Sequence, residues 1–197
     1  FQILDYALLS APGAPITKAL LEAGIGKDIS GSYDSSTYQP IFSIVAKNAN
    51  EEQKAEFVKV IEDTLKGIVE NGMDKKALEA GINYHEFRYR EADFGGYPKG
   101  LMYGLQIFDS WLYDETKPFI HVEALDTFAF LKEQINTGYF EKLIQTYLLD
   151  NQHGALVTIV PEPGRTARLD AELKEKLQAF FSKDSIKLDE NLRYSTR

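Results

Sequence analysis

The fold of this chain is decided by the stretch LLSAPGAPITKALLEAGIGKDI, residues 8–29, which contains the end of one helix, a whole second helix and the start of a strand. The apolar run over residues 3–9 predicts the first helix, and a Ser-Ala-Pro-Gly turn ends it. The second helix is predicted over about residues 14–23, because two glycines stop it. The loosely alternating, Ser- and Tyr-rich segment over residues 28–37 then predicts a strand.

The middle of the chain carries signals for a second strand and two long helices. The short apolar run over residues 41–46 predicts the strand. Asn50 with Gln53 is typical of a capping box at the start of a helix. A second long helix is predicted from Asp74, which can cap it, to about Asp93. The first of these helices has one apolar face with spacings of three and four, formed by Ala55, Val58, Ile61, Leu65 and Ile68.

The rest of the chain predicts more helices and one more strand. The helices are predicted over residues 101–112, 122–134, 139–149 and 165–181, and the strand over residues 154–160. The helix over residues 101–112 is expected to bury its bulky side, Leu105, Phe108, Trp111 and Leu112, and the polar tail after Ser182 is expected to fray. We therefore predict an α+β fold, with a helix-rich layer packed on a small, mostly antiparallel sheet. Three strands are few for such a domain, so we expect it to be incomplete, with its opening strand upstream of Phe1.

Composition and charge exclude several classes of protein. The 197 residues contain no cysteine, which excludes disulfide scaffolds and thiolate metal sites. The net charge is −8. Residues 1–164 hold 14 Lys and Arg against 24 Asp and Glu, whereas residues 165–197 hold 8 against 6. This acidic balance argues against nucleic acid and membrane surfaces as partners. No apolar run is long enough to span a membrane, and no signal peptide opens the chain. The change of composition near Gly164 predicts a domain boundary there.

No motif in the sequence predicts a catalytic or metal site. The three histidines, His85, His121 and His153, are far apart, and none has a second histidine at the four-residue spacing of a helical zinc motif. The run from Gly24 to Asp28 has two mismatches to a phosphate-binding loop, and is better interpreted as a helix C-cap followed by a turn. No serine lies in a Gly-x-Ser-x-Gly elbow.

Aromatic residues are concentrated around the Gly-Gly-Tyr-Pro break at residues 95–98, and two interpretations of them stay open. One is core packing between neighbouring helices. The other is an aromatic wall that holds a peptide substrate. The residues concerned are Tyr84, Phe87, Tyr89, Phe94, Tyr97 and Tyr103.

Three stretches together carry a family resemblance that covers nearly the whole chain, to about Phe181. They are residues 8–29, quoted above; EADFGGYPKGL and SWLYDE, residues 91–101 and 110–115; and YFEKLIQTYLLDNQHGALVTIVPEPG, residues 139–164. In this order and spacing the chain resembles the presequence-protease branch of the insulinase/pitrilysin family of zinc metallopeptidases, in its bacterial form.

The resemblance implies two halves, each made of two similar α+β domains, that close around a peptide. The first domain of such a protein carries the zinc motif His-x-x-Glu-His, and this chain resembles the second domain (residues 1–164) followed by the start of a helical linker (residues 165–197). The closest string here starts at His85, but Arg88 stands in place of the glutamate and Tyr89 in place of the second histidine. No catalytic or metal-binding residue is therefore assigned, and the substrate-binding residues are left open.

The resemblance also implies what the longer protein does. We expect this segment to be inactive by itself, to brace the catalytic domain and to line the peptide chamber of a zinc metalloendopeptidase. Zinc is expected in the longer protein and not in this segment. The expected partners are the remaining domains and unfolded peptides, without nucleic acid or membrane, in the bacterial cytoplasm. The alternative is a catalytically inactive scaffold or binding module of the same fold.

Overall fold

The structure is a computed structural model that describes residues 1–183. It contains two compact units, one from Phe1 to Gly154 and one that begins at Ala155. The domain division at Gly164 stays a prediction. The expected fraying of the tail and the last part of the predicted linker, residues 184–197, lie outside the described residues.

The N-terminal helices agree with the prediction. Helix α1 (Gln2–Asp5) continues as a π-helical turn (Tyr6–Ser10), and α2 (Pro15–Glu22) begins with a proline at its first position, where a missing amide hydrogen costs nothing. The Thr17 hydroxyl donates a hydrogen bond of 2.7 Å to the carbonyl oxygen of Leu9 and so joins α2 to the turn before it.

Helix α2 ends in a glycine cap, as the sequence predicts. Gly24 has a φ of +69°, its amide donates to the Leu21 carbonyl at 3.0 Å, and the Ile25 amide donates to the Leu20 carbonyl at 2.9 Å. These two bonds define a Schellman motif. Ile25 is fully buried, so the cap also directs an apolar side chain into the core.

The sheet has two antiparallel strands, β1 (Asp28–Asp34) and β2 (Ile41–Lys47), with Gly31 opposite Ile44. Its inner face lies on the N-terminal helices. A Cβ atom added at Gly31 would lie 2.2 Å from Cδ1 of Leu9 and 2.4 Å from Oδ1 of Asp5. Only glycine therefore allows the first helical segment to approach β1 so closely.

The two long helices begin at the predicted caps. Asn50 and Gln53 form a capping box, with the Asn50 amide donating to Oε1 of Gln53 at 3.0 Å. A short 3-10 turn (Glu51–Gln53) then leads into α3 (Lys54–Asn71). Oδ1 of Asp74 accepts hydrogen bonds from the first-turn amides of α4 (Lys75–Glu91). The helix N-termini thus follow from local side-chain chemistry.

The core of the first unit lies where the N-terminal helices meet α3, α4 and α7 (Tyr139–Ile144), which continues as a π-helical turn (Gln145–Leu149). Helix α3 contributes Leu65, which is 4% exposed. The fully buried side chains come from the other helices named: Leu4, Leu8, Ile16, Leu20, Leu78, Ile82 and Ile144. Partly buried residues of the inner sheet face pack against them. The molecule is therefore α+β, helix-rich with a small antiparallel sheet, as predicted.

Helix α5 (Lys99–Trp111) contradicts the prediction of a buried side. Leu105, Phe108, Trp111 and Leu112 are 47% to 69% exposed. Within the first unit, residues 1–154, no other helix or strand packs extensively against α5. The apolar spacing of a helix face indicates that it can be covered, but the element that covers it need not belong to the same stretch of chain.

Helix α6 (Leu125–Gln134) begins three residues later than predicted. The turn that ends at Val122 and the two residues after it are bonded to α4: the Ala124 amide donates to the Tyr89 hydroxyl at 3.0 Å, and that hydroxyl donates to the Val122 carbonyl. Because the amide and the carbonyl bond to the side chain, the turn is fixed before the helix starts.

The second unit contains α8 (Arg165–Lys183), which agrees with the predicted helix. The predicted strand over residues 154–160 is wrong: no strand is formed there, and Val157 and Ile159 are 78% and 90% exposed. A strand exists only when another strand satisfies its backbone groups, and residues 1–183 provide no partner for this segment. No helix among the described residues is long and apolar enough to cross a membrane.

Candidate functional site

His85 lies on α4 in an aromatic environment rather than a metal site. Its ring is 6.5 Å from the Tyr6 ring and 5.1 Å from the Tyr84 ring, centroid to centroid, both edge-on. Burial, and then the positive charge of Arg88, lower the pKa of His85, so the neutral imidazole is favoured. The side chain serves here as a half-buried aromatic group.

The other two histidines do not join His85. Burial raises the pKa of Asp109 on α5, and the nearby His121 opposes this shift by favouring the charged form of Asp109. His153 lies on the surface, close to the end of the first unit. Within residues 1–183, no three His, Cys, Asp or Glu side chains lie close enough together to hold a metal ion. The described residues therefore do not fit zinc.

The run from Gly24 forms a helix C-cap followed by a turn, as the sequence analysis favoured, and not a phosphate-binding loop. Gly24 belongs to the glycine cap of α2, and the Lys27 amide donates to the Lys47 carbonyl at 2.8 Å beside the start of the sheet. The amide that a phosphate would need is thus already bonded to the neighbouring strand.

The aromatic residues around the Gly-Gly-Tyr-Pro break form two groups, and each group fits one of the two interpretations left open by the sequence. Tyr84 stacks on Tyr6 at 5.6 Å, and Tyr89 lies 5.6 Å from Phe128, so these rings pack helices together. Phe87 and Tyr97, by contrast, are 63% and 68% exposed. The exposed rings flank the break between α4 and α5, and they are the candidates for contact with a ligand.

A shallow cavity of about 380 Å³ lies at that break. Helix α4 ends there in a left-handed Ala92 (φ 49°), with the Asp93 amide donating to the Arg88 carbonyl at 3.1 Å. The chain then turns at Gly95 and reaches α5. The cavity is lined by Phe87, Glu91, Ala92, Asp93, Phe94, Gly95, Tyr97 and Lys99.

The charged groups around the cavity are held in different ways. Nε of Arg88 lies 3.9 Å from Oδ2 of Asp93, whose Oδ1 accepts a hydrogen bond from the Gly95 amide at 3.2 Å. Nζ of Lys99 donates to the backbone carbonyl of Glu91 at 3.2 Å. The Glu91 carboxylate has no hydrogen-bond or ion-pair partner among residues 1–183, and it is exposed.

A second surface, here called the α5 apolar face, consists of Leu101, Leu105, Phe108 and Leu112. Their spacing of three and four places them along one side of α5. Trp111 stacks on Phe108 with ring centroids 5.9 Å apart and extends this surface. The C-terminal end of α5 is anchored by Ser110, which is buried and donates to the Lys117 carbonyl at 2.7 Å.

Residues 1–84 match the family model described as the peptidase M16 inactive domain. The relatives below match about nine tenths of the chain. The chain belongs to the M16 peptidase family. Within it the chain lies in the presequence-protease branch, which confirms the resemblance seen in the sequence.

The M16 relatives come from bacteria and from eukaryotes. Protein HypA of Clostridium perfringens is 47% identical over 90% of this chain. Presequence protease 1, chloroplastic/mitochondrial, of Arabidopsis thaliana is 32% identical over 93% of it. The mitochondrial presequence protease of Schizosaccharomyces pombe is 29% identical over 92%. The chain spans about 18% of the length of each of these relatives.

Proposed function

We propose that this M16 chain is a non-catalytic segment of a zinc-dependent metalloendopeptidase that degrades unfolded peptides. In this proposal it is the second domain followed by the start of a helical linker. It braces the catalytic domain and forms part of the wall of the peptide chamber. Its partners are the remaining domains of the longer protein and the peptide substrates.

The observation that carries this proposal is the α5 apolar face. Four bulky side chains lie in line on it, about half exposed to water. Covering the exposed half of a side chain of this size stabilises a protein by about 0.8–1.5 kcal/mol, half of the value for a fully exposed side chain. Exposed apolar side chains that lie together on one face are typical of a contact site. A domain whose task is to support a neighbour presents such a face, and the match to an inactive domain supports the same role.

The zinc chemistry in this proposal belongs to other parts of the longer protein. The string that starts at His85 lacks the glutamate and the second histidine of the zinc motif. No step of peptide cleavage is therefore assigned to this chain. A bacterial cytoplasmic location is part of the proposal, supported by the bacterial relative, although other relatives are named as mitochondrial or chloroplastic.

Peptide cleavage by two proteins tests the proposal: the full-length protein that contains this chain, and the 197-residue chain alone. The substrate is an unfolded, internally quenched peptide. We expect cleavage by the full-length protein, loss of cleavage with a chelator, and recovery with zinc. The chain alone should not cleave the peptide. Cleavage by the chain alone, or cleavage that is insensitive to the chelator, would contradict the proposal.

The alternative function is an inactive scaffold or binding module. The description of the matched family model as an inactive domain is consistent with this alternative too. The same experiment separates the two. A full-length protein that holds no zinc and binds the peptide without cleaving it is a scaffold. Zinc held at one equivalent together with cleavage identifies the peptidase.

A further inference from the structure

Helix α3 ends in a chemically reactive pair of residues, Asn71 followed by Gly72. It is the only asparagine-glycine pair in the 197 residues. Asparagine is a labile side chain, and a glycine after it increases this lability, because a residue without a side chain leaves its amide nitrogen open to approach. Both residues are exposed, so water can reach the pair.

The reaction open to this pair is deamidation, which needs only water as co-reactant. The amide nitrogen of Gly72 loses its proton to solvent and attacks Cγ of Asn71. A bond forms between these two atoms, the bond from Cγ to Nδ2 breaks, and ammonia leaves with a proton from solvent. Water then opens the resulting succinimide at either of its two carbonyls, which gives aspartate or isoaspartate at position 71.

In the folded chain both reacting groups are held by the last turn of α3. The Gly72 amide donates to the Ile68 carbonyl at 2.8 Å, and Nδ2 of Asn71 donates to the Gly67 carbonyl at 2.8 Å. Both hydrogen bonds must break before the reaction, since it deprotonates the first donor and turns the second group toward it. Deamidation therefore requires the last turn of α3 to open, as helix ends do.

A carboxylate on α7 opposes this opening. Oε1 of Glu141 accepts a hydrogen bond of 2.8 Å from the Met73 amide. The same oxygen would lie 3.8 Å from a Cβ atom added at Gly72, so it is directly beside the reactive pair. A charged acceptor makes this bond stronger than one between neutral groups. It ties the residue after Gly72 to α7 and so restrains Gly72 itself.

We infer that Asn71 is a deamidation site whose rate is set by opening of the α3 end, and that Glu141 controls this opening from α7. The product weakens the same junction. An aspartate at position 71 places a negative charge at the carbonyl end of α3, where it is unfavourable, and close to the Glu141 carboxylate. The Gly67 carbonyl also loses its side-chain donor. The inference does not depend on whether the longer protein is a peptidase.

Mass spectrometry of the full-length protein that contains this chain tests the inference. Trypsin releases residues 67–75, in which Asn71 is the one asparagine, so the mass gain on exchange of an amide for a carboxyl locates the reaction. The reference is a synthetic peptide of residues 67–75 in the same buffer. We expect deamidation about ten- to hundred-fold slower in the protein than in the peptide, because the helix end must open first. Equal rates, or no product in the protein once the peptide has reacted completely, would overturn the inference.

Two alanine variants of the full-length protein test control by Glu141. Glu141→Ala removes the acceptor of the Met73 amide and should speed deamidation of Asn71 about two- to ten-fold. Glu79→Ala, which removes an exposed carboxylate of α4, is the matched control and should leave the rate unchanged. Equal rates in Glu141→Ala and the wild type would show that α7 does not restrain the pair.

The variant Asn71→Asp contains the product from the start and gives an independent readout. Hydrogen exchange of the Met73 amide should be at least about two-fold faster than in the wild type. Asn83→Asp, at an exposed position on α4, is the control and should leave that amide unchanged. Because Asn71 is exposed, its replacement is not expected to disturb folding. Unchanged exchange of Met73 in Asn71→Asp would contradict the effect assigned to the product.

Discussion

Oε2 of Glu86 on α4 lies 2.5 Å from Nζ of Lys132 on α6. The other carboxylate oxygen accepts hydrogen bonds from Arg90, one turn further along α4. The Glu86 side chain is only 13% exposed. A single carboxylate thus joins α6 to α4, the helix that buries Leu78 and Ile82 in the core.

Replacing Glu86 with glutamine should destabilise the chain by about 1 kcal/mol, because two cations lose their common partner. Urea unfolding followed by circular dichroism measures this change. Glu62→Gln on α3 is the matched control, since Glu62 makes an exposed i,i+4 pair with Lys66. The control should change the free energy of unfolding by less than about 0.5 kcal/mol. Equal effects of the two variants would show that the link to α6 contributes nothing.

The same carboxylate should make stability depend on pH. Hydrogen bonds from Lys132, and then from Arg90, lower the pKa of Glu86 in the folded chain. Its stabilisation is therefore fully present above the unfolded pKa of about 4.3 and is lost as pH falls through the lower folded value. The difference in unfolding free energy between wild type and Glu86→Gln should shrink on going from pH 7 to pH 3. A difference that stays constant would contradict this assignment.

Gly31→Ala should destabilise the chain by about 1–3 kcal/mol, because the new methyl group overlaps Leu9 and Asp5. Gly67→Ala is the control: it lies inside α3, and a Cβ there meets nothing within 4 Å. Since alanine favours a helix more than glycine does, the control should stabilise by roughly 0.5–1 kcal/mol. Thermal unfolding of both variants measures the contrast, and a tolerated alanine at position 31 would disprove the close approach.

Tyr89→Phe should cost about 1–2 kcal/mol, because the Val122 carbonyl and the Ala124 amide lose their shared partner. Hydrogen exchange of the first-turn amides of α6 reports the loss locally. Tyr139→Phe is the control, since that hydroxyl has no hydrogen-bond partner among residues 1–183. Unchanged protection of α6 in Tyr89→Phe would mean that the turn forms without the hydroxyl.

Leu105→Asp tests whether the α5 apolar face is covered in the longer protein. In the 197-residue chain the side chain is half exposed, so the unfolding free energy should change by less than about 0.5 kcal/mol. In the full-length protein the same change should cost about 2 kcal/mol or more, because it buries a charge against a neighbour. Thermal unfolding of both proteins gives the comparison. An equally small effect in both would show that nothing packs on this face.

Most of the helices could be predicted because their ends depend on neighbouring residues. Asn50, Asp74 and Gly24 are bonded within a few residues in the chain, and the structure confirms each of these caps. The two strands of the sheet follow each other in the sequence, so their pairing also depends on residues close together in the chain.

What could not be predicted depends on groups far away in the chain. The apolar spacing of Leu105 and Phe108 indicates a face but does not reveal what covers it, so the prediction of burial was wrong. The apolar run over residues 154–160 predicts a strand, yet a strand needs a partner that residues 1–183 do not provide. The cavity at the end of α4 is lined mainly by residues of α4 and of the loop after it. The turn at Gly95 brings them together, and the sequence does not reveal this arrangement.

The unpaired segment over residues 154–160 has a consequence for the chain in solution. It is uncharged, rich in β-branched residues and exposed to water, and it has no regular secondary structure. Segments of this kind are templates on which copies of the same chain stack into intermolecular sheets. Concentrated solutions of the 197-residue chain should therefore aggregate through this segment. The substitution Val157→Lys should delay the onset of this aggregation.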